Sequence, residues 1–330
     1  MEALRLGLVG AGWIAVDHVA AIERLGGAEI VAVCDLDRGR ARETAPDAAN
    51  VYERWEDLLA EEALDAVFVC TPPLAHHGPT IAALERGLHV YLEKPIARTL
   101  DDALAIVGAA EASQKVCAVG YQWHATPVLD DLRVALAGQD IGLLIGRSIG
   151  PTQGRPWFLE RAQGGGNVLE RGSHQIDLTR AVAGEVESVQ AAASGVKLGQ
   201  DAVERADIED AAALTLHLAR GGLATLLVAW TRGSLPGLYT LDVLASEATL
   251  QLTLDPEFSL RGTSRGQTVE ASSSEHPFER SVARFLDAVR TGDPGRVFCT
   301  PRDATGTLAV ALACEAALVS GDTVAVPAYQ

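Results

Sequence analysis

The sequence predicts an α/β fold in two domains: a doubly wound parallel sheet, followed by an α+β domain with a large, mainly antiparallel open sheet. Three observations indicate this. Residues 1–121 alternate short apolar runs with helical segments, a glycine-rich turn follows the first run, and residues 122–330 carry successive strand-like runs without intervening helices. The length of 330 residues also exceeds what one hydrophobic core usually supports.

The strand-like runs of the first domain are short and rich in apolar or β-branched residues. They lie at residues 4–9, 29–34, 65–70, 89–92 and 116–120. Repeated strand-helix-strand units need crossover connections, which a parallel doubly wound sheet accommodates. Ligands of such a sheet bind at the carboxyl ends of its strands. We therefore expect a cofactor site directly after these runs.

The second domain begins with a helical segment and one strand, and continues through a loop rich in glycine, proline and tryptophan into another helix. These segments lie at residues 126–137, 142–149, 151–166 and 168–182. Five longer strand-like runs follow, at residues 186–196, 211–218, 223–231, 238–244 and 248–254. Strands joined by turns are typical of an antiparallel sheet. Amphipathic helices at 277–290 and 303–320 close the chain, and Gly321 is expected to cap the second.

Charge and cysteine usage exclude several classes of protein. The net charge of −17, from 27 basic and 44 acidic side chains, repels nucleic acid and anionic lipid. A dinucleotide is also an anion, but a helix N-terminus can bind its pyrophosphate locally. Five cysteines without a C-x-x-C pair argue against a disulfide framework and against a thiolate zinc site. We expect a cytoplasmic protein with no membrane span and no metal.

The turn after the first run carries a dinucleotide signature. Gly10, Gly12 and Ala15 form G-x-G-x-x-A at the start of a predicted helix over 14–25, with Trp13 and Ile14 inside the motif. Gly10 permits the tight turn, Gly12 lets the backbone approach a pyrophosphate, and Ala15 allows close packing of helix and strand. Taken alone, the triplet also fits a glycine-rich turn in any α/β protein.

Asp35 strengthens the prediction of a bound dinucleotide. It ends the second strand-like run, where a carboxylate can accept hydrogen bonds from the adenosine ribose and would repel a 2′-phosphate. Arg38 lies close by and could blunt this preference. We therefore expect NAD rather than NADP as the cofactor.

Further motifs follow in order along the chain. They are Thr71-Pro72-Pro73 with His76, Glu93-Lys94-Pro95, Gly120-Tyr121-Gln122, Gly164-Gly165-Gly166, and then Glu170, His174 and Asp177. In this combination the chain resembles the glucose-fructose oxidoreductase, inositol dehydrogenase and MocA family, over essentially its whole length. The resemblance implies a Rossmann domain (1–121), a substrate-binding and oligomerisation domain (122–330), and hydride transfer between a nicotinamide and a sugar, cyclitol or related polyol.

The resemblance also implies roles for individual residues. Lys94 matches the lysine of the family's E-K-P motif, and His174 matches its catalytic histidine. Two departures from the family pattern are Glu170, where aspartate is usual, and Gln122-Trp123-His124, where asparagine and arginines are usual. Besides the glycine-rich turn and Asp35, the residues expected to contact the cofactor are Thr71, Pro72, His76, Glu93, Lys94 and Gln122.

The helix over 168–182 places three polar residues on one face, because Glu170, His174 and Asp177 are spaced i, i+4 and i+7. Glu170 either acts in catalysis with His174 or completes a capping box with Asn167. His174 fits a general acid and base, although a core histidine or a metal ligand has the same sequence signature.

Other candidates have ordinary alternatives as well. Lys94 either polarises a substrate oxygen or is a solvated lysine at a strand end, and Pro95 is expected to form a cis bond. Trp123, Arg155 and Trp157 are candidates for the substrate wall, or for loop and core positions.

A rival function keeps the same residues and uses NAD transiently to cleave a glycosidic bond, and another is a catalytically silent NAD-binding regulator. The broad sheet predicted after residue 186 suggests a homodimer or homotetramer, because one of its faces needs cover.

Overall fold

A computed structural model describes residues 2–151, 156–196, 208–231 and 237–329. The chain forms two compact units. The first contains residues 1–121 and 278–305, and the second contains residues 122–277 and 306–330. The first unit therefore includes a segment that the sequence analysis assigned to the second domain.

The first unit is a doubly wound sheet. Its strands are β1 (Leu4–Val9), β2 (Ala28–Cys34), β3 (Asn50–Tyr52), β4 (Ala66–Val69), β5 (His89–Leu92) and β6 (Cys117–Val119). Its helices are α1 (Trp13–Leu25), α2 (Arg38–Thr44), α3 (Trp55–Glu61), α4 (His77–Glu85), α5 (Leu100–Ser113) and α9 (Pro277–Thr291). The order β3-β2-β1-β4-β5-β6, parallel throughout, is that of a Rossmann fold, so the predicted class is confirmed.

Strand register decides where the motifs lie. Val9 at the end of β1 pairs with Cys34 and with Val69, which end β2 and β4. The alignment continues across β5 and β6, where Val69 pairs with Leu92 and Leu92 with Val119. Five neighbouring strands therefore end at one level, and the motif residues that follow them share one edge of the sheet.

The core of the first unit is aromatic and aliphatic. Phe68, Tyr91 and Phe285 are fully buried and their rings contact one another, with centroids 5.0–5.5 Å apart. Phe285 belongs to α9, so this helix completes the core of the first unit.

The second unit is built on a nine-stranded sheet. Its strands are β7 (Ile141–Pro151), β8 (Val186–Ala193), β9 (Ala211–Leu218), β10 (Leu223–Thr231), β11 (Leu238–Ala245), β12 (Ala248–Asp255), β13 (Phe258–Ser264), β14 (Gln267–Ser273) and β15 (Val324–Ala325). Its helices are α6 (Val128–Leu136), α7 (Arg161–Gly164), α8 (Ser173–Ala183) and most of α10 (Pro301–Ser320). The order is β14-β13-β12-β11-β7-β10-β9-β8-β15, antiparallel except for the pair β7 and β10. The predicted mainly antiparallel sheet is confirmed.

Burial alternates along the strands of this sheet. Leu144 and Leu226 are fully buried. Gly146, which pairs with Leu226, leaves room for Gln175 of α8, whose side-chain amide donates to the carbonyl of residue 147. The residues that alternate with them, such as Ile145 and Leu227, remain partly exposed on the other face. One face therefore packs on helices, and the other presents partly exposed apolar side chains.

Helix α10 was predicted over 303–320 and begins two residues earlier, at Pro301. Gly321 ends it with φ of 76°, and its amide donates to the carbonyl of Ala317, as predicted. Among the described helices, α10 alone is long and apolar enough to cross a membrane, although the sequence analysis expected none. Since 61% of its apolar window is buried, it is typical of a core helix.

Candidate active site

The glycine-rich turn joins β1 to α1 and is shaped by two different constraints. Gly10 has φ of 95°, and a Cβ there would lie 2.6 Å from the backbone of Cys70 after β4. Gly12 has ordinary extended dihedrals, and a Cβ there would meet nothing within 4 Å. Gly12 is the N-cap residue of α1, and it has no side chain that could accept a hydrogen bond from the first amides of the helix. An open helix N-terminus facing empty space fits a pyrophosphate.

Asp35 follows β2 at the same edge and is held from two sides. Its Oδ2 accepts the amide of Ala11 at 2.8 Å, and its Oδ1 accepts the amide of Asp37 at 2.9 Å and pairs with Arg40 at 3.0 Å. A carboxylate has about four acceptor positions, so one remains for a ribose hydroxyl. Arg38, which the sequence analysis placed beside this carboxylate, pairs with Glu53 instead at 4.0 Å. Arg40 is the neighbouring cation.

His76 is fully buried and connects two loops of this edge. Its Nε2 lies 2.8 Å from the carbonyl oxygen of Thr71, and its Nδ1 lies 2.9 Å from that of Pro95. Burial lowers the pKa of His76, and the carbonyls and the Glu93 carboxylate only partly oppose this. A neutral imidazole can donate to one of the carbonyls at a time. His76 therefore braces the loops after β4 and β5, while Thr71 and Pro72 are more accessible.

The Glu93-Lys94-Pro95 turn follows β5. Glu93 is 4% exposed, and its Oε2 accepts the backbone amide of Lys94 at 3.1 Å. Gly120 leaves room for this carboxylate, since a Cβ there would lie 3.0 Å from Oε1 of Glu93. The Lys94–Pro95 bond is cis, as predicted. Lys94 itself is half-buried, at the carboxyl edge of the sheet.

In the second unit, the helix predicted over 168–182 begins with a π-helical turn (Val168–Gly172) that runs into α8. Such turns are frequent at functional sites. Glu170 in the turn and His174 in α8 are partly exposed, whereas most of their neighbours are buried. The ring of Trp123 lies 5.1 Å from that of His174 and 5.8 Å from that of Tyr239. Trp123 therefore lies beside His174, and its role in a substrate wall stays a prediction.

The Asn167 half of the proposed capping box is not formed. The Asn167 side chain donates to the carbonyl of Asp210 at 3.0 Å and makes no capping bond at the start of the turn. The amide of Val168 is accepted instead by the Glu209 carboxylate at 3.1 Å. The first amide of this helical segment thus finds its acceptor in Glu209, which lies just before β9 in the sequence. The role of Glu170 stays a prediction.

Two residues that contact this helical segment, His124 and Tyr239, were not singled out as site residues. His124 lies 3.4 Å from Asp177, which is 2% exposed and also accepts the hydroxyl of Thr307 at 3.3 Å. Tyr239 accepts a hydrogen bond from Arg171 at 2.9 Å. For the contact between His124 and Asp177, the sequence offered one signal, because the helical spacing places Asp177 on the same face as His174. Tyr239 carries no local signal, because it reaches the site from a strand 65 residues after His174.

The remaining candidates have mixed outcomes. Trp157 packs on Phe158 at 4.5 Å and borders a hydrophobic cluster, which is the core alternative for this residue. Arg155 lies outside the described residues. Gln122 begins a short 3₁₀ turn, Gln122–Ala125. Lys94 belongs to the first unit and His174 to the second, so their pairing stays a prediction.

Two family models match parts of this chain. Residues 4–121 match a family model described as an oxidoreductase family with an NAD-binding Rossmann fold. Residues 145–251 match the model of the GFO/IDH/MocA C-terminal domain. The first domain is thus an NAD-binding Rossmann domain.

Individual relatives differ in how much of the chain they match. An inositol 2-dehydrogenase of Corynebacterium glutamicum is 34% identical over 148 residues, which is 44% of each chain. This chain therefore spans under half the length of that relative. The 1,5-anhydro-D-fructose reductase of Ensifer adhaerens is 28% identical and matches 96% of this chain and 97% of the reductase.

The fold is shared with solved structures. The WlbA dehydrogenase from Bordetella pertussis, solved with NADH and UDP-GlcNAcA, superimposes with a TM-score of 0.82 at 23% identity. The superposition covers 99% of this chain and 100% of the other. At this level of identity the likeness extends to the fold alone.

Proposed function

Because the chain belongs to the glucose-fructose oxidoreductase, inositol dehydrogenase and MocA family of NAD-binding oxidoreductases, we propose that it transfers hydride between NAD and a secondary alcohol or ketone of a sugar, cyclitol or related polyol. The observation that carries this proposal is the strand edge of the first unit. Three features lie along this edge: the open space in front of Gly12 at the start of α1, the partly available Asp35 carboxylate and the half-buried Lys94.

NAD is the cofactor for which this edge is suited, and the nicotinamide supplies the hydride acceptor or donor. The amides at the start of α1 would hold the pyrophosphate, and Asp35 would accept a ribose hydroxyl. The same carboxylate would repel the 2′-phosphate of NADP. Arg40 is the residue that would moderate this repulsion, because it already pairs with Asp35.

The chemical step assigns separate tasks to two side chains. Lys94 would donate a hydrogen bond to the substrate oxygen and stabilise the negative charge that develops on it. His174 would accept the hydroxyl proton as hydride leaves the carbinol carbon, and would return the proton when a ketone is reduced. Trp123, whose ring lies beside His174, would form part of the substrate wall.

The substrate class rests on the relatives. The relative matched along nearly its entire length is named for reducing an anhydro ketose, and the shorter match is named for a cyclitol. Both names describe rings with several hydroxyl groups. We therefore propose a ring polyol or its ketone as substrate, with 1,5-anhydro-D-fructose and myo-inositol as the first probes.

The test is a panel of polyols, cyclitols and keto-sugars, with turnover measured as the change in nicotinamide absorbance. On a substrate that the parent protein accepts, we expect Lys94→Ala to lower turnover by about 10²-fold or more and His174→Ala by roughly 10²–10⁴-fold. Lys115→Ala is the matched control, since Lys115 lies just before β6 at the opposite edge of the sheet. Normal NAD binding with near-parental turnover in both variants would refute the pairing.

We also propose that the protein is a cytoplasmic homodimer or homotetramer. The partly exposed face of the nine-stranded sheet supports this, because its apolar side chains, including Ile145 and Leu227, need cover. Light scattering should give a mass above the 34.7 kDa of one chain, and Ile145→Lys should reduce it. A mass of one chain at micromolar concentration would contradict the proposal.

A further inference from the structure

His18 is a buried polar residue that the proposed chemistry does not use. It lies on α1 with no exposed surface and is surrounded by aromatic rings. The centroids of Phe68, Tyr91 and Phe278 lie 5.1, 5.0 and 4.5 Å from that of its imidazole. Burying a histidine in such surroundings destabilises the folded state unless a polar partner forms a hydrogen bond with the imidazole.

Glu93 is that partner. His18 Nε2 lies 2.8 Å from Glu93 Oε1, and among the described residues His18 Nδ1 has no hydrogen-bond partner. The neutral tautomer with its hydrogen on Nε2 matches this pattern, because it donates to the carboxylate and leaves no N–H unpaired. The imidazole thus has one polar task, which is to hold Oε1.

The other oxygen of the carboxylate acts on the lysine turn. Glu93 Oε2 accepts the backbone amide of Lys94 at 3.1 Å, while Gly120 packs against the same carboxylate. The chain of contacts runs from the ring of His18, through a carboxylate that is 4% exposed, to the backbone of Lys94. Each link is a hydrogen bond to an ionisable group in a water-poor setting, where such bonds are strongest.

We propose that His18 is a positioning residue for Lys94, acting through Glu93. The inference rests on the proposed function for the role of the lysine, but the contacts that carry it lie entirely within the first unit. Without the Nε2 donor, the buried carboxylate would lose a compensating hydrogen bond. It would then turn away from its present position, and its hydrogen bond to the Lys94 amide would weaken.

A matched pair of variants separates this role from simple packing. His18→Phe keeps an aromatic ring among the three neighbouring rings but removes the donor. His18→Gln places an amide NH₂ close to the former Nε2 and keeps the donor. His89→Gln is the control, because His89 begins β5 and its Nδ1 accepts the amide of Val116 at the other end of the strand.

Two readouts are needed. Hydrogen exchange of the Lys94 amide, measured by NMR, reports the proposed contact without any substrate. We expect exchange to be about 10- to 100-fold faster in His18→Phe, and close to parental in His18→Gln and His89→Gln, from the usual strength of a hydrogen bond to a charged group. On a substrate that the parent accepts, kcat of His18→Phe should fall about tenfold or more with KM for NAD little changed, and His18→Gln should restore it.

The outcomes are distinct. Parental exchange at Lys94 in a folded His18→Phe overturns the positioning role, and so does a kcat loss that His18→Gln shares equally. If the parent protein binds NADH but turns over no member of the panel, the proposed function fails, while the exchange measurement still decides the role of His18. If His18→Phe does not fold, faster exchange in His18→Asn, whose shorter amide does not reach Glu93, supports the proposal, and parental exchange in that variant overturns it.

Discussion

Gly10 and Gly12 lie two residues apart in one loop, yet replacing each by alanine should have opposite consequences. Gly10 has φ of 95°, and an added Cβ would lie 2.6 Å from the Cys70 carbonyl carbon. Gly12 has φ of −73° and ψ of 179°, and an added Cβ would meet nothing within 4 Å. The first glycine is required by the fold, whereas the second is required only by a ligand that lies in front of it.

The magnitudes follow from these contacts. For Gly10→Ala, the left-handed backbone costs roughly 1–2 kcal/mol and the overlap roughly 1–3 kcal/mol, so the free energy of unfolding should fall by about 2–5 kcal/mol. Gly12→Ala should change the free energy of unfolding by about 1 kcal/mol at most. An increase is expected because alanine reduces the conformational entropy of the unfolded chain. A methyl group against the pyrophosphate should cost roughly 1–3 kcal/mol, which weakens NAD binding about 5- to 150-fold.

The assay combines urea unfolding in the absence of cofactor with titration calorimetry of NADH. Gly12→Ala should unfold like the parent and bind NADH weakly, whereas Gly10→Ala should unfold at lower urea. If Gly12→Ala binds NADH with parental affinity, the pyrophosphate does not lie in front of this residue, and the proposed cofactor position is wrong. Parental stability of Gly10→Ala would refute the steric argument for the turn.

Three further predictions concern other parts of the site. Asp35→Ser should narrow the preference for NAD over NADP by about tenfold or more, because it removes a carboxylate that repels the 2′-phosphate. Adding Arg40→Ser should cancel the gain in NADP affinity, because Arg40 is the cation beside this position. Calorimetry that finds tighter NADP than NAD binding in the parent would contradict this prediction. Glu170→Gln should lower turnover before it lowers stability if Glu170 acts on His174, whereas parental turnover with slightly reduced stability would leave it a structural role. Burial lowers the pKa of His76, so the folded protein should lose stability as the pH falls below about 6.5, where the histidine of the unfolded chain takes up a proton. The free energy of unfolding, measured with urea, should therefore be lower at about pH 5 than at about pH 7, and this difference should be smaller in His76→Asn.

Much of the first unit was predictable because its signals are local. The glycine motif, Asp35 and the Glu93-Lys94-Pro95 turn each follow a short apolar run, and parallel strands bring such positions to one edge. Strand β3 was missed because it has only three residues. Strands β13 and β14 were missed because serine, threonine and glycine dilute their alternation of apolar and polar residues.

Contacts between distant segments were beyond the reach of local patterns. Asn167-x-x-Glu170 has the spacing of a capping box, yet the amide of Val168 is satisfied by Glu209, 41 residues away, and Asn167 is used elsewhere. Similarly, Arg38 and Arg40 follow Asp35 at nearly equal distances in sequence. Only the direction in which α2 leaves the strand decides that Arg40 pairs with the carboxylate.

The sequence by itself determined the two-part α/β architecture and the dinucleotide motif, because periodicity, turn chemistry and the order of motifs are properties of neighbouring residues. The tertiary structure decided which groups satisfy one another in the interior. His18 and Glu93 are 75 residues apart and meet at 2.8 Å, because the strand register brings the end of β5 beneath α1. A buried ionisable group must find a partner wherever the fold provides one, so its partner follows from packing and not from spacing along the chain.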